Sequence, residues 1–278
     1  MDLDGTLLNS QSRVPEENAR AIAEAAARGI EIVVVTGRRY HSARLIVEAL
    51  PCELHLIVNN GALIKSKEGE THQRSLLPAA TARRVLEATP EFRSSASVVF
   101  DRPRENQVIL ETIDWDDPFR GGYFRRSREF VAQVSPLMDC LTAKNGKPPE
   151  DPIQVMFVGL CDAIREVREK LQRLDFAGEY TLAFTEYLTR DISVLDVLRH
   201  GVSKGVALEQ WAQRLGIKRE EVMAIGDNWN DREMLEFAGL PVVMGNCVDV
   251  LKSHGWTITL TNDENGLAHA IRKYALTN

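Results

Sequence analysis

The sequence predicts an α/β fold: a doubly wound, Rossmann-like parallel sheet interrupted by an inserted α+β domain. Three observations carry this. The first 64 residues alternate helical segments with short β-branched runs, the rhythm of a sheet covered on both faces. From about residue 197 the same rhythm resumes. Between the two, the pattern changes to grouped helices and paired strands. The outer pieces, residues 1–78 and 197–278, are therefore expected to build one domain around an insertion at 79–196. A chain of 278 residues also exceeds what one hydrophobic core usually serves.

In chain order, VPEENARAIAEAAARG reads as a helix. Pro15 suits a first-turn position, acids follow it, and Gly29 can close the helix in a left-handed conformation. IEIVVVTGR reads as a strand buried on both faces, because its β-branched run does not alternate with polar residues. RYHSARLIVEALP returns to helix and LHLIVNNGALI to strand. In the insertion, SLLPAATARRVLEATPEF is predicted helical, SASVVF and NQVILETI are strands, and GYFRRSREFVAQVSPLMDCL is helical. PIQVMFVGL leads into the helix CDAIREVREKLQRL, and EYTLAFTEY and RDISVLDVL add two strands. The charged run FRRSREF reads as a solvated face, and KNGKPPEDP is the most linker-like stretch. The final third gives helix SKGVALEQWAQRLG, strand EVMAIGD, helix NDREMLEFAG, strands PVVMG and WTITLT, and a last helix GLAHAIRKYAL.

Composition excludes several classes of function. With 34 basic against 40 acidic side chains the net charge is -6, which repels polyanions, so nucleic acid is not an expected partner. No apolar run reaches the length of a membrane span, and no basic segment followed by an apolar one opens the chain; a membrane partner is not expected and the location is expected to be cytoplasmic. Cys52, Cys140, Cys161 and Cys247 are scattered without a C-x-x-C pair, and the six histidines show no metal-ligand spacing. Both sets read as packing or surface residues.

Four short signals point to chemistry. Asp2 and Asp4 of DLDGT would project to one side of an extended segment, where two like charges call for a cation between them. Thr36, Gly37 and Arg38 lie at the carboxyl end of a strand, where open α/β sheets bind ligands and where a hydroxyl and free N–H groups suit an anion. Lys204 opens a helix, against the helix dipole, which points to a neutralising role. GDNWND places Asp227 at a strand end with Asn230 and Asp231 in the following helical turn. Three carboxylates at one sheet edge call for a divalent cation, and a Thr and a Lys beside them call for an anion. Mg²⁺ with a phosphate satisfies both.

With these residues in place the sequence resembles the haloacid dehalogenase superfamily, in particular the Cof-type phosphatases with a class 2 (C2B-like) cap inserted between the second and third motifs. DLDGT, VVTGR, the Lys of GVSKG, and GDNWND match the four family motifs in order. The resemblance implies a Mg²⁺-dependent hydrolase that removes phosphate from a small phosphate monoester, a sugar phosphate or similar metabolite, through an aspartyl-phosphate. It makes Asp2 the nucleophile and Asp4 the general acid and base. It makes Thr36, Gly37, Lys204 and Asn230 the phosphate-binding groups, with Lys204 also counted catalytic. It makes Asp2, the backbone carbonyl of Asp4, Asp227 and, through water, Asp231 the metal-binding set. NNGALI resembles a recurring Asn-Gly turn of the family, which a plain hairpin turn explains equally well.

One departure stands out. The family's nucleophile ends a central strand, and only Met1 precedes Asp2 here, so the natural chain is expected to begin several apolar residues earlier. If Met1 is the start, a loop too mobile to hold Asp2 would leave an impaired or non-catalytic phosphate and Mg²⁺ binding module. A phosphosugar mutase shares the fold and differs in returning the phosphoryl group to substrate. A receiver domain uses similar residues but is about half the length and has no insertion. Oligomeric state and substrate identity are not legible in the residues.

Overall fold

A computed structural model describes residues 1–143 and 146–277 and divides the chain into two units, Met1–Arg74 with Ser203–Asn278, and Ser75–Val202. The first stretch carries α1 (Glu16–Ala27), β1 (Val33–Val35), α2 (Tyr40–Val47), β2 (His55–Val58), β3 (Leu63–Ser66) and β4 (Thr71–Arg74). The inserted unit carries α3 (Ala79–Ala88), β5 (Ala96–Val99), β6 (Val108–Leu110), α4 (Arg120–Phe124), β7 (Val131–Gln133), β8 (Gln154–Gly159), α5 (Cys161–Gln172), β9 (Tyr180–Tyr187) and β10 (Ile192–Arg199). The last stretch carries α6 (Lys204–Leu215), β11 (Met223–Gly226), α7 (Arg232–Phe237), β12 (Leu240–Val243), α8 (Asp249–Lys252), β13 (Thr257–Ile258) and α9 (Gly266–Ala270).

In the first unit β1 pairs parallel with β2, and β11, β12 and β13 pair parallel with one another. The backbone of Met1–Asp2 lies between the two sets. Met1 donates its amino group to Val33 O at 2.9 Å and accepts from Val35 N at 2.8 Å, while Asp2 N donates to Ile225 O at 2.8 Å. The place where the sequence shows no strand is thus bridged by two backbone bonds to β1 and one to β11. Successive residues Val34 and Val35, Leu56 and Ile57, and Val242 and Val243 are all fully buried. Neighbouring residues of a strand face opposite ways, so both faces of this sheet are covered, which is why the strands are continuously apolar. Val35, Ile57 and Val243 pack with Ala207, Leu208 and Trp211 of α6 and Met234 and Leu235 of α7, while α1 packs on α9. Helix α1 has Pro15 as its N-cap and Gly29 closing it at φ +78.

Two local expectations change in this unit. LHLIVNNGALI forms the hairpin β2–β3, antiparallel with Val58 opposite Leu63, rather than one strand. Asn59 and Asn60 turn the chain at φ 51 and 53, a left-handed conformation that Asn tolerates because its side chain can satisfy nearby backbone groups. Strand β4, unanticipated, extends the hairpin, so the sheet is parallel at its centre and antiparallel at this edge. The hairpin and α6 also bring His55 and His72 together against Trp211, with ring centroids 4.5 and 5.1 Å from the indole. His55 Nδ1 lies 2.6 Å from Glu31 Oε1, which orients the cluster as packing.

The inserted unit is a six-stranded sheet in the order β7-β6-β5-β8-β10-β9, antiparallel except for β6 with β7. Its core joins Val85 and Leu86 of α3 and Ile164, Val167 and Leu171 of α5 to Val98, Val155, Phe157, Leu195 and Val197 of the sheet. The segment expected as one helix over 122–141 breaks into α4, tight turns and the strand β7. Val131 and Val134 favour extended backbone, Pro136 cannot continue a helix, and β6 offers an edge to which β7 bonds. Arg125, Arg126 and Arg128 are exposed while Phe124 and Phe130 are buried. The units part after Arg74 and Val202 rather than at 78 and 196, because β10 pairs with β9 from Ile192 through Arg199 and so cannot be cut. Of the linker-like stretch over 144–152, Lys144 and Asn145 lie outside the described residues.

Candidate active site

The carboxyl ends of β1 and β11 and the bridging Met1–Asp2 define one edge of the core sheet. Asp2 is fixed there by its backbone bond to β11 and is 5% exposed. Asp227 follows β11 directly, and Asp231 sits in the tight turn Trp229–Asp231 that leads into α7. Ligand-type oxygens of Asp2, Asp227 and Asp231 all lie within 4.8 Å of one another. Lys204 enters this group from the first residue of α6, donating to Asp2 Oδ1 at 2.7 Å and to Asp231 Oδ1 at 2.6 Å while only 3% exposed. Its helix is capped by Ser203, whose hydroxyl accepts from Val206 N at 3.2 Å.

Two buried carboxylates and the half-buried one of Asp227 against the Lys204 ammonium leave negative charge uncompensated. Burial pushes the Asp2 carboxyl up to about 7, Asp231 adds to the rise, and Lys204 opposes it. Asp227 is likewise raised well above the ordinary carboxylate range, first by burial and then by Asp2 and Asp231. Burial alone would disfavour the Lys204 charge, but Asp2 and Asp231 outweigh it and hold the ammonium above its ordinary range. The donor set is hard oxygen, the type that magnesium and calcium select, and a divalent ion supplies the charge that these carboxylates lack.

Loop chemistry holds the acids in register. Asp231 Oδ2 accepts from Asp227 N and Asn228 N, both at 3.0 Å, which closes the GDNWND loop on itself. Thr6, fully buried, donates to Asp227 Oδ1 at 2.9 Å, tying the opening loop to β11. Asn246 donates to Gly5 O at 2.9 Å. Gly5 stands at φ +79, and a Cβ there would lie 2.3 Å from Asp227 Oδ2, so conformation and space both require glycine.

Asp4 departs from expectation. The segment Leu3–Leu7 is a wide turn closed by Leu8 N on Leu3 O at 2.9 Å, with Gly5 left-handed, not a continuous strand, and the Asp4 carboxylate does not join that of Asp2. Asp4 instead meets Arg38: Nε donates to Oδ2 at 2.7 Å and Nη2 to Oδ1 at 2.6 Å, a two-pronged ion pair. Its side chain is 34% exposed, so it is not a buried acid among acids. The Asp4 carboxylate is not part of the clustered set of Asp2, Asp227 and Asp231.

Thr36 ends β1 beside Asp2 and is 1% exposed; its N donates to Ile57 O at 2.8 Å and its Oγ1 accepts from Arg38 N at 3.2 Å. A Cβ on Gly37 would meet Asn60 Oδ1 at 3.0 Å, and Asn230 Nδ2 donates to that same oxygen at 3.4 Å. Thr36, Gly37 and Asn230 therefore converge through Asn60, which the sequence offered only as a turn residue. Arg38, Thr6 and Asn246 were also outside the expected site. Arg38 was visible in the TGR triplet, whereas Thr6 and Asn246 acquire a part only through contacts more than 200 residues apart in sequence.

Residues 1–271 match the family model of haloacid dehalogenase-like hydrolases. The chain is 31% identical over 288 residues to the phosphatase YwpJ of Bacillus subtilis, covering 98% of this chain and 97% of that protein. It is 32% identical over 253 residues to an HMP-PP phosphatase of Serratia proteamaculans, covering 91% and 85%. Among solved structures, a haloacid dehalogenase-like hydrolase from B. subtilis superimposes with a TM-score of 0.81 at 28% identity, covering 99% of this chain and 98% of the other. The chain belongs to the haloacid dehalogenase-like hydrolases, as a Cof-type phosphatase acting on phosphate monoesters.

Proposed function

We propose that this phosphatase hydrolyses a small-molecule phosphate monoester in two steps through an aspartyl-phosphate on Asp2, with Mg²⁺ as its metal. The observation that carries the reading is Lys204 buried between Asp2 and Asp231 with Asp227 alongside. A nucleophilic carboxylate needs neighbouring positive charge before a phosphate dianion can approach it; Lys204 supplies part of it, and a bound cation would supply the rest. Asp2 and Asp227 would hold the metal with the Asp4 backbone carbonyl, and Asp231, whose oxygens bond Lys204 and two backbone N–H groups, would act through water. The bound cation would neutralise phosphoryl charge at this edge.

In the first step an Asp2 oxygen attacks phosphorus, the ester P–O bond breaks, and the leaving oxygen takes a proton from Asp4. In the second, Asp4 takes a proton from water, the water oxygen attacks phosphorus, and Asp2 is restored with release of phosphate. Thr36, Gly37, Lys204 and Asn230 hold the phosphoryl oxygens. The inserted unit, Ser75–Val202, is the cap that selects the leaving group. We place the enzyme in the cytoplasm, since its four cysteines are free, and its charge of -6 disfavours nucleic acid as a partner. No helix among the described residues is long and apolar enough to cross a membrane.

The test is a panel of phosphate monoesters with Mg²⁺, scored by free phosphate, which also separates hydrolysis from mutase chemistry. Asp2→Asn is expected to lower turnover by at least about 10³-fold, more than the loss of a single charge-stabilising donor. Equal rates for the two proteins would remove Asp2 from the mechanism.

A further inference from the structure

The loop that follows β12 has no part in the steps above, yet it bonds to both segments that carry the acids. Val248 N donates to Asp227 O at 3.0 Å, and Asn246 Nδ2 donates to Gly5 O at 2.9 Å. One short loop therefore holds the GDNWND loop and the opening loop together. The circuit closes where Thr6 Oγ1 donates to Asp227 Oδ1 at 2.9 Å. Gly5 and Thr6 are thus pinned from two directions, the carbonyl by Asn246 and the hydroxyl by Asp227.

The Asn246 amide is fixed in orientation as well as in place. Its Oδ1 accepts from Asn262 N at 2.9 Å, so its amino end is the one that faces Gly5 O. The loop that carries it is anchored in turn, with Cys247 N donating to Met244 O and Gly245 N to Leu260 O, both at 3.0 Å. Asn262 offers an internal comparison. Its own Nδ2 donates to Leu8 O at 2.9 Å, the same kind of bond to the same opening loop, but away from the residues that meet Asp227. Asn262 is buried, whereas Asn246 is exposed.

We propose, resting on the assignment of Asp2 and Asp227 to Mg²⁺, that Asn246 is a positioning residue for the metal, holding the opening loop against Asp227 so that the acids stand ready for a divalent cation. Carboxylates short of positive charge push apart the loops that carry them. Until a cation arrives, the bonds between those loops oppose that movement alongside Lys204. A tether already in place removes an ordering cost that the ion would otherwise meet on binding.

The test titrates Mg²⁺ calorimetrically into chelator-treated protein with no substrate present, and records the melting temperature of the metal-free protein. In Asn246→Ala the Mg²⁺ dissociation constant is expected to rise about three- to tenfold, the worth of one amide-to-carbonyl hydrogen bond. Asn262→Ala keeps the backbone N–H that serves Asn246 Oδ1 and loses the bond to Leu8 O. Its metal-free melting temperature is expected to fall, because a buried donor is lost, while its Mg²⁺ dissociation constant stays within about twofold of that of the unsubstituted protein. An unchanged constant in Asn246→Ala overturns the proposal and leaves the metal assignment standing. So does an equal rise in both variants, which would mean that affinity follows general stability. If Asn246→Ala does not fold, Asn246→Ser, whose hydroxyl is too short to reach Gly5 O, is judged by the same criterion. Absence of Mg²⁺ binding in the unsubstituted protein would instead defeat the metal assignment, and the proposal with it.

Discussion

Lys204 carries a positive charge into the first turn of α6, where the helix dipole opposes it, and it is tolerated because two carboxylates accept from it within 2.7 Å. Removing it would leave Asp2 and Asp231 facing each other in a buried site. Lys204→Met is therefore expected to lower turnover by about 10²–10³-fold, and to reduce stability by about 3–5 kcal/mol in protein stripped of metal. Steady-state assays and denaturant titration read the two effects, and unchanged turnover would place Lys204 outside the chemistry. Gly5 gives a second residue-scale expectation. In Gly5→Ala the new methyl would press on Asp227 from 2.3 Å in a backbone conformation that alanine resists. Metal affinity should fall at least about tenfold while the far-ultraviolet circular dichroism is retained, and isothermal titration with Mg²⁺ checks it. An affinity equal to that of the unsubstituted protein would show that Gly5 does not shape the acidic group.

At the scale of elements, the site is built where strands end and turns begin. β1 delivers Thr36, β11 delivers Asp227, the hairpin turn delivers Asn60, and α6 delivers Lys204 from its N-terminus. The cap of α6 matters because it sets the residue just before Lys204. Ser203→Ala should cost about 0.5–2 kcal/mol of stability through loss of the bond to Val206 N, measurable as a shift in denaturation midpoint. It should also lower activity at constant fold, because the first turn that aims Lys204 loosens; full activity with reduced stability would confine Ser203 to capping. The segment over 122–141 shows the converse, where Val131, Val134 and a proline overrode helical spacing once an edge strand was available to pair.

At the scale of the whole molecule, the uncompensated acids make stability depend on both protons and metal. Asp2 titrates at about 7 in the folded protein against an ordinary 3.8, and Asp227 is displaced in the same direction. Between those values the folded form keeps a proton that the unfolded form has lost. That contribution is complete below about pH 4 and disappears as pH rises through about 7. The buried Met1 amino group beside them, pushed down to about 6 by burial, acts in the opposite sense between about pH 6 and 8, so the metal carries the readout: Mg²⁺, which competes with the carboxyl protons, should raise the melting temperature more at pH 8 than at pH 5.5. Differential scanning calorimetry with and without chelator tests this; a metal-induced shift that is the same at both pH values would mean that the acids do not act as one coupled group.

The sequence by itself determined the α/β rhythm of the core, the presence of an insertion, and three of the acids that gather with Lys204, because strand burial and short motifs are local properties of neighbouring residues. Asp227, Asp231 and Lys204 could be named in advance since each lies beside its own strand end or helix start, and Asp2 since it opens the DLDGT motif. Only the tertiary structure decided what each acid faces. Asp2 turned to Lys204 and Asp4 to Arg38 because the opening loop coils into a wide turn, and coiling separates two side chains that extension would have kept together. Thr6, Asn60 and Asn246 entered the site for a related reason: a hydrogen bond is set by distance in space, and chain spacing carries no record of partners brought together by folding.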